Sequence, residues 1–256
     1  MSSGIVCYRC HQEYAAGKCG CKDGVTLIHG DCREVLPLLE AGSVDLVLTD
    51  PPYLTSDSRV PTRGRGVGKR ILDTNAVGLP WGYSLDWINA IQYLGVQHWI
   101  VFANYRMLAG LCSTLPPQTV FIWRKSNAPR MTRPIPRLDC EFILWSRQNG
   151  ATCQNMGAFQ SMVLDVPMPQ AGCMAVERIC KAGTGKAAHP CQKPMGVVRP
   201  FIERLPDCKS ILDPFAGLGT TGRAAKDLGR RCILIEIEER YCEIAARRLA
   251  QEVLFT

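Results

Sequence analysis

Short runs of apolar residues, bounded by polar or turn-forming residues, recur along the chain and predict β-strands. The run at residues 44–49 is continuous, which is typical of a parallel strand buried on both faces of a sheet. Asp31 can cap a helix after the first run, and Pro37 limits or bends that helix. The predicted strands lie at residues 25–29, 44–49, 98–103, 119–123, 141–145, 209–212 and 231–236.

The C-terminal part of the chain has the clearest pattern. A glycine-rich turn joins the strand at 209–212 to a helix predicted over 220–228, and an amphipathic helix over 238–249 follows the last strand. Strands and helices that alternate through short connections predict right-handed βαβ units and a parallel sheet.

Composition narrows the class of protein. The 256 residues are 46% hydrophobic and 21% charged, which excludes wholesale disorder. The net charge of +7 is compatible with a polyanionic partner, although many basic enzymes never bind nucleic acid. The N-terminus lacks the apolar segment of a signal peptide, and no apolar run approaches the ~20 residues that cross a bilayer. We therefore expect a cytoplasmic protein whose 14 cysteines are free thiols or metal ligands.

The first motif with chemical content is Asp213-Pro-Phe-Ala-Gly217-Leu-Gly219-Thr220-Thr221, between a predicted strand and helix. Its glycines allow a tight turn and close approach of a ligand. Glu236 ends the next strand, at the spacing that lets an acid accept hydrogen bonds from ribose hydroxyls. The turn is neither a dinucleotide fingerprint nor a phosphate loop. It is either a simple strand–helix connection or an adenosine site.

The second motif is Thr49-Asp50-Pro51-Pro52-Tyr53, at the end of another apolar strand. The prolines remove two amide donors and fix the backbone, so that carbonyls, a carboxylate and an aromatic ring remain. This set suits an exocyclic amino group on a flat base, although a Pro-Pro turn with a helix-capping Asp is the alternative. Ligands of doubly wound sheets bind beyond the carboxyl ends of the strands, so both motifs are expected to face one crevice.

Together, the motifs resemble the amino-methyltransferase family of restriction–modification and phage or orphan DNA methylases. The tetrapeptide from Asp50 to Tyr53 resembles the catalytic motif of that family, and the segment from Asp213 to Gly219 resembles its cofactor loop. The catalytic motif comes first, as in the β-type permutation. The segment His189-Pro-Cys-Gln192-Lys193-Pro194 is similar to an element that precedes the cofactor loop in that subgroup, with Cys191 in place of Thr.

The resemblance covers roughly residues 24–250 and implies an α/β fold with a doubly wound, mostly parallel sheet of methyltransferase (Rossmann-like) type. It implies transfer of a methyl group from S-adenosylmethionine to adenine N6 in double-stranded DNA of a bacterial or phage-infected cell, with cytosine N4 as the alternative target. The catalytic residues would be Asp50, Pro51, Pro52 and Tyr53. The cofactor residues would be Asp31, His189, Gln192, Lys193, Asp213, Pro214, Phe215, Gly217, Gly219, Thr220 and Glu236.

Residues 1–23 form a cysteine-rich N-terminal appendage ahead of the catalytic domain at 24–256. Cys7, Cys10, Cys19 and Cys21 include one Cys-x2-Cys pair and one tighter Cys-x-Cys pair, and four thiolates can hold structural zinc. The alternative is a cysteine-rich tail without metal.

Two basic regions are candidates for DNA contact. Residues 56–78 read as a loop of glycines and cations, and residues 125–188 are irregular and fall where the family holds target recognition. Each region also has an alternative without a DNA-binding role. Residues 56–78 would then be a solvated loop, and residues 125–188 a purely structural insertion. The candidate DNA-binding residues are Arg59, Arg63, Arg65, Lys69, Arg70, Arg130 and Arg133. Related enzymes are often dimers, so a homodimer is a further expectation.

The sequence disfavours three rival functions. A zinc nucleobase deaminase would place Pro-Cys-x-x-Cys after His11-x-Glu13, and no such segment follows. Methyltransferases of RNA or of protein glutamine usually carry Asn at the position of Asp50 and have the opposite motif order. A non-catalytic nucleic-acid-binding relative is disfavoured because both motifs are intact.

Overall fold

The computed structural model describes residues 5–15, 19–52, 85–128, 139–148, 150–151, 159–169 and 191–252. Within these ranges the strands are β1 (Val25–His29), β2 (Leu46–Thr49), β3 (His98–Ala103), β4 (Thr119–Arg124), β5 (Cys140–Arg147), β6 (Val163–Asp165), β7 (Ser210–Asp213) and β8 (Arg231–Glu236). The α-helices are α1 (Cys32–Val35), α2 (Asp86–Gln92), α3 (Tyr105–Thr114), α4 (Met195–Glu203), α5 (Thr220–Asp227) and α6 (Glu239–Ala250), and a 3-10 turn at Leu36–Leu38 follows α1.

The strands form one sheet in the order β1-β8-β7-β2-β3-β5-β4-β6. Among the described strands only β5 runs against the others, because it pairs antiparallel with both β3 and β4. The chain leaves β7 toward β8 on one side and leaves β2 toward β3 on the other. The crevice at which the strand order reverses therefore lies between β7 and β2, which are paired neighbours.

Helices cover both faces of this sheet. On one face α4, α5 and α6 bury Phe201, Ala224 and Leu249 against the sheet, and on the other α2 and α3 bury Trp87 and Leu111. Successive strand residues serve opposite faces, so the strands are apolar on both sides and have the continuous apolar character seen in the sequence.

The predicted doubly wound, mostly parallel α/β fold is confirmed. The strands at 25–29, 98–103 and 231–236 have the predicted bounds, and the others differ by a few residues at their ends. Asp31 caps α1 by accepting a hydrogen bond from the Arg33 amide, and a 3-10 turn that contains Pro37 ends the helical segment. Among the described helices, none combines the length and the hydrophobicity that a bilayer crossing requires.

The cysteine-rich N-terminal segment packs along the edge strand β1. Ile5 and Tyr14 are buried in the core, and the Tyr8 amide donates a hydrogen bond to the Leu27 carbonyl (2.6 Å). The segment therefore covers backbone groups that the edge of the sheet would otherwise leave exposed. The boundaries at residues 23 and 24 and the recognition interval at 125–188 stay predictions, although β5 and β6, within that interval, are part of the sheet.

Candidate active site

The two motifs end neighbouring strands. β2 and β7 pair in parallel, with Leu46 opposite Ile211. At the amino ends, the Asp45 carboxylate accepts hydrogen bonds from the Ser210 amide and hydroxyl, both at 2.8 Å. At the carboxyl ends, the Thr49 hydroxyl donates to Asp213 Oδ1 at 2.7 Å. These bonds fix the register, so that the Asp50 backbone and the start of the glycine loop emerge side by side.

Backbone conformation at two glycines shapes the loop after β7. Gly217 and Gly219 have φ values of 52° and 72°, in the left-handed region that favours glycine. A Cβ at Gly219 would lie 3.0 Å from the Ala245 Cβ, so this glycine lets α6 pack closely against the loop. A Cβ at Gly217 would meet nothing within 4 Å, which shows that this turn faces open space among the described residues.

Glu236, at the end of β8, supports the loop from below. Its Oε2 accepts a hydrogen bond from the Gly217 amide (2.7 Å) and its Oε1 accepts one from the Glu238 amide (2.9 Å). Each carboxylate oxygen can accept more than one bond, so these contacts leave capacity for ligand hydroxyls. Burial raises the pKa of Glu236 to about 7 and outweighs the two amide bonds, which act in the opposite direction.

Asp213 is buried at the end of β7. Besides the Thr49 hydroxyl, its Oδ1 accepts a hydrogen bond from the Phe215 amide at 3.1 Å. Burial raises the pKa of Asp213 to about 6, while these bonds pull it down. The residue thus ties the end of β2 to the glycine loop through its side chain.

A chain of charges extends from Asp50 along the edge of the sheet at which β3 and β4 end and β5 begins. The Lys193 ammonium, 7% exposed, binds Asp50 Oδ2 and lies 3.2 Å from Glu141 Oε2, while Lys125 Nζ lies 2.6 Å from Glu141 Oε1. The ammonium also lies 5.2 Å from the ring centroid of Phe102, in a cation–π contact. Burial by itself lowers the pKa of Lys193, but the carboxylates of Asp50 and Glu141 outweigh it and raise the pKa.

Lys193 also connects this corner to the glycine loop after β7. Its backbone carbonyl accepts a hydrogen bond from the Thr220 hydroxyl (3.2 Å), at the start of α5. The buried Arg248 guanidinium donates to the same hydroxyl at 2.9 Å and to the Leu218 carbonyl at 3.4 Å. One lysine therefore contacts both motifs, through its side chain on one side and its carbonyl on the other.

The structure brings together most of the predicted residues that it describes. Asp31 lies at the end of β1 and binds Arg33, and the neighbouring Gly30 amide donates to the Glu236 carbonyl (3.0 Å). Pro51 and Pro214 are buried, whereas Pro52, Phe215 and Gln192 are half-buried. Tyr53, His189 and all seven predicted DNA-binding residues (Arg59, Arg63, Arg65, Lys69, Arg70, Arg130 and Arg133) lie outside the described residues.

Four residues of this site were not predicted as functional. Thr49 and Arg248 hold the loop, and Glu141 and Lys125 continue the charge chain. The signal for Glu141 was its position as an acid at the start of an apolar strand, since a charge next to a buried segment usually has a partner. The sequence carries no comparable signal for Arg248. It is one of several arginines on an amphipathic helix, and nothing in the sequence distinguishes it from the others.

The four N-terminal cysteines converge at a separate place. The thiols of Cys7, Cys10, Cys19 and Cys21 all lie within 4.8 Å of one another. The structure thus brings the whole predicted metal set together, and its spacing allows the four thiols to share one ion.

A family model described as DNA methylase, for N6 and N4 methyltransferases, matches residues 44–247. This match spans both motifs and the strands between them. The chain belongs to this DNA methylase family. Membership confirms the predicted chemistry, which is methyl transfer to DNA with S-adenosylmethionine as cofactor.

Individual relatives agree with the family. The methylase is 27% identical over 253 residues to the type II methyltransferase M2.DpnII of Streptococcus pneumoniae, across 90% of this chain and 91% of the relative. It is 28% identical to M.HinfI of Haemophilus influenzae, across 88% of this chain and 68% of that one.

Solved structures show the same fold. The structure of M1.HpyAVI in complex with S-adenosylmethionine aligns with a TM-score of 0.62 at 25% identity, across 88% of the methylase and all of that chain. The cytosine-N4-specific PvuII methyltransferase aligns with a TM-score of 0.61 at 17% identity, across 91% and 88% of the two chains, which supports the fold alone.

Proposed function

We propose that this enzyme methylates the exocyclic N6 of adenine in double-stranded DNA. The observation that carries the proposal is the hydrogen bond between Thr49 and Asp213, because it sets the amino-group motif and the adenosine-type motif at one crevice. The choice of adenine rests on Asp50, since the resemblance associates Asp before Pro-Pro-Tyr with adenine and Ser with cytosine N4. Cytosine N4 is the alternative, because the matching family model covers both N6 and N4 methyltransferases.

Asp50 is proposed to orient the target amine. Its carboxylate accepts one amino hydrogen and the Pro51 carbonyl accepts the other, so that the nitrogen lone pair points out of this corner. Lys193 holds the carboxylate in place through its ion pair. Tyr53 stacks on the base. The base reaches the corner only after it flips out of the duplex, because its amino nitrogen is otherwise shielded by stacking.

The loop from Asp213 to Gly219 is proposed to bind S-adenosylmethionine, together with Glu236, Asp31, Gln192, Lys193 and His189. The open turn at Gly217 and the acid beneath it fit a nucleoside whose ribose donates hydrogen bonds. When bound, the cofactor supplies an electrophilic methyl group on a sulfonium. The residues of this chain contribute alignment and electrostatic placement, and they form no covalent bond to the base.

DNA contact is proposed for the cations at Arg59, Arg63, Arg65, Lys69 and Arg70, which would follow phosphates beside the flipped base. Arg130 and Arg133 would act within the recognition interval at 125–188. A homodimer is proposed as the working assembly.

The product can be identified directly. Full-length protein is incubated with duplex DNA and S-adenosylmethionine, and the digested nucleosides are separated by mass spectrometry. We expect N6-methyladenine and no N4-methylcytosine. N4-methylcytosine without N6-methyladenine would show that cytosine N4 is the target. The absence of any methylated base, on DNA that contains many sequence contexts, would contradict the proposed activity.

Cofactor affinity should depend on pH through Glu236. Ribose hydroxyls donate more strongly to a carboxylate than to a neutral carboxyl, so affinity is expected to rise with pH through the pKa of about 7. If only the ionised form binds, affinity measured by calorimetry rises about tenfold between pH of about 6 and about 8.

The matched variant is Glu236→Gln, which keeps the size and loses the titration. It should bind the cofactor more weakly at a pH of about 8 and show a flat profile over this range. A profile in the variant as steep as that of the wild type would assign the titration to another group, of which Asp213 is the nearest candidate.

A further inference from the structure

We propose that Cys7, Cys10, Cys19 and Cys21 bind a structural zinc ion, and that this ion fastens the N-terminal segment across the edge strand β1. The site is separate from the methyl-transfer crevice. Three observations support the proposal. They are the arrangement of the thiols, a left-handed turn beside them, and the contacts between the N-terminal segment and β1.

The spacing of the thiols fits one metal ion. With Zn–S bonds of about 2.3 Å, a tetrahedron places its sulfur atoms about 3.8 Å apart. The thiols of Cys7 and Cys21 are 3.8 Å apart, and all four lie within 4.8 Å of one another. Four thiolates with no open position are typical of structural zinc sites. On binding, each thiol that is still protonated releases its proton to solvent.

The turn beside Cys10 is strained in the way that ligand clamps often are. His11 has a φ of 54°, and it is the one non-glycine residue with positive φ among the described parts of the chain. Its amide donates to the Cys7 carbonyl at 2.8 Å, which closes the turn around the first cysteine pair. Such a conformation is uncommon outside glycine, and shared metal ligation by Cys7 and Cys10 would help to hold it.

Outer contacts would orient the ligands and balance their charge. The Thr26 hydroxyl donates to the Cys19 sulfur at 3.3 Å. The Arg9 guanidinium, which interacts electrostatically with Cys7 and Cys21, donates to the Val25 carbonyl at 2.6 Å and pairs with Asp23 at 2.7 Å. Supporting interactions of this kind are a regular feature of protein metal sites.

These contacts also explain what the ion would do. Tyr8 and Arg9 lie between Cys7 and Cys10, and both donate hydrogen bonds to carbonyls of β1. A metal that closes the loop would hold these donors against the edge strand. Loss of the metal would free the segment and expose an unpaired edge, which favours aggregation.

The test is elemental analysis of the full-length protein, purified in reducing buffer without chelator. We expect about one zinc ion per chain, which should fall below about a tenth in Cys10→Ser and Cys19→Ser. Cys112→Ser, which changes a cysteine on α3 outside the cluster, should keep the zinc of the wild type. The variants that lose metal should also unfold at lower temperature than this control.

A second measurement serves if the cluster variants fail to fold. Wild-type protein is stripped with a chelator and titrated with cobalt(II), which should give the visible absorption of a tetrahedral thiolate site. Folded reduced protein that contains no metal and binds neither zinc nor cobalt would overturn the proposal, as would stoichiometric iron. Metal content is measured independently of methyl transfer, so failure of the proposed activity would leave this result unaffected.

Discussion

Replacement of Asp50 by alanine is expected to lower the rate of methyl transfer by at least about a thousandfold. The variant removes the carboxylate that is proposed to orient the amine. The cofactor loop should stay intact, because its supports are Asp213, Glu236 and Arg248 rather than Asp50. Single-turnover kinetics on duplex DNA should therefore show the loss, while calorimetry with S-adenosylmethionine shows a dissociation constant close to that of the wild type.

Two further variants define the cause of this loss. Asp50→Asn keeps the shape and one acceptor oxygen but loses the charge, and it should fall between alanine and the wild type. Asp207→Ala removes an exposed carboxylate near the opposite end of β7 and should retain full activity. Asp50→Ala with near-normal turnover would remove the assigned role, and loss of cofactor binding alongside turnover would point to a collapsed crevice.

Replacement of Lys193 by methionine should impair both stability and catalysis. Its buried ammonium sits between the carboxylates of Asp50 and Glu141, so the variant leaves two acids close together without their shared cation. Breaking such a pair costs about 3 kcal/mol of unfolding free energy, with the loss measured by denaturant titration. Because carboxylate repulsion requires both groups ionised, this loss should be largest above neutral pH and shrink as the pH falls.

Turnover of the Lys193→Met variant should also depend on pH, in the opposite direction to its stability. Without the cation the pKa of the carboxylate pair rises, so turnover should recover as the pH is raised and Asp50 ionises. The double variant Glu141→Gln with Lys193→Met removes one acid and should regain part of the lost stability. Lys209→Met, at an exposed lysine, is the matched control. Wild-type stability in Lys193→Met at a pH of about 8 would contradict the proposed charge chain.

The sequence was sufficient to predict which site residues lie at the ends of strands. A continuous apolar run, glycines at a strand end and an acid at the next strand end place Asp50, Gly217 and Glu236 at the carboxyl edge of a parallel sheet. The structure adds that β2 and β7 are direct neighbours. The order of strands depends on which faces pack together, and local patterns carry little of that information.

The side-chain partners that meet across the sheet could not be predicted from the sequence, because they also depend on the order of the strands. Glu141 contacts Lys193 only because β5 is inserted antiparallel between β3 and β4. The direction of an apolar strand cannot be read from its residues, since a buried strand has the same pattern either way. The four cysteines were easier, because metal ligands have fixed residue types and short spacings.

The pairing of β2 with β7 constrains when the active site can form during synthesis and folding. The hydrogen bond that joins the two motifs spans 164 positions of the chain. Contacts between such distant segments form slowly, because a long loop has to close before they contribute stability. A nascent chain that stops short of Asp213 would have the proposed base-binding corner without the proposed methyl-donor site, so we expect an N-terminal fragment that ends before Asp213 not to methylate DNA.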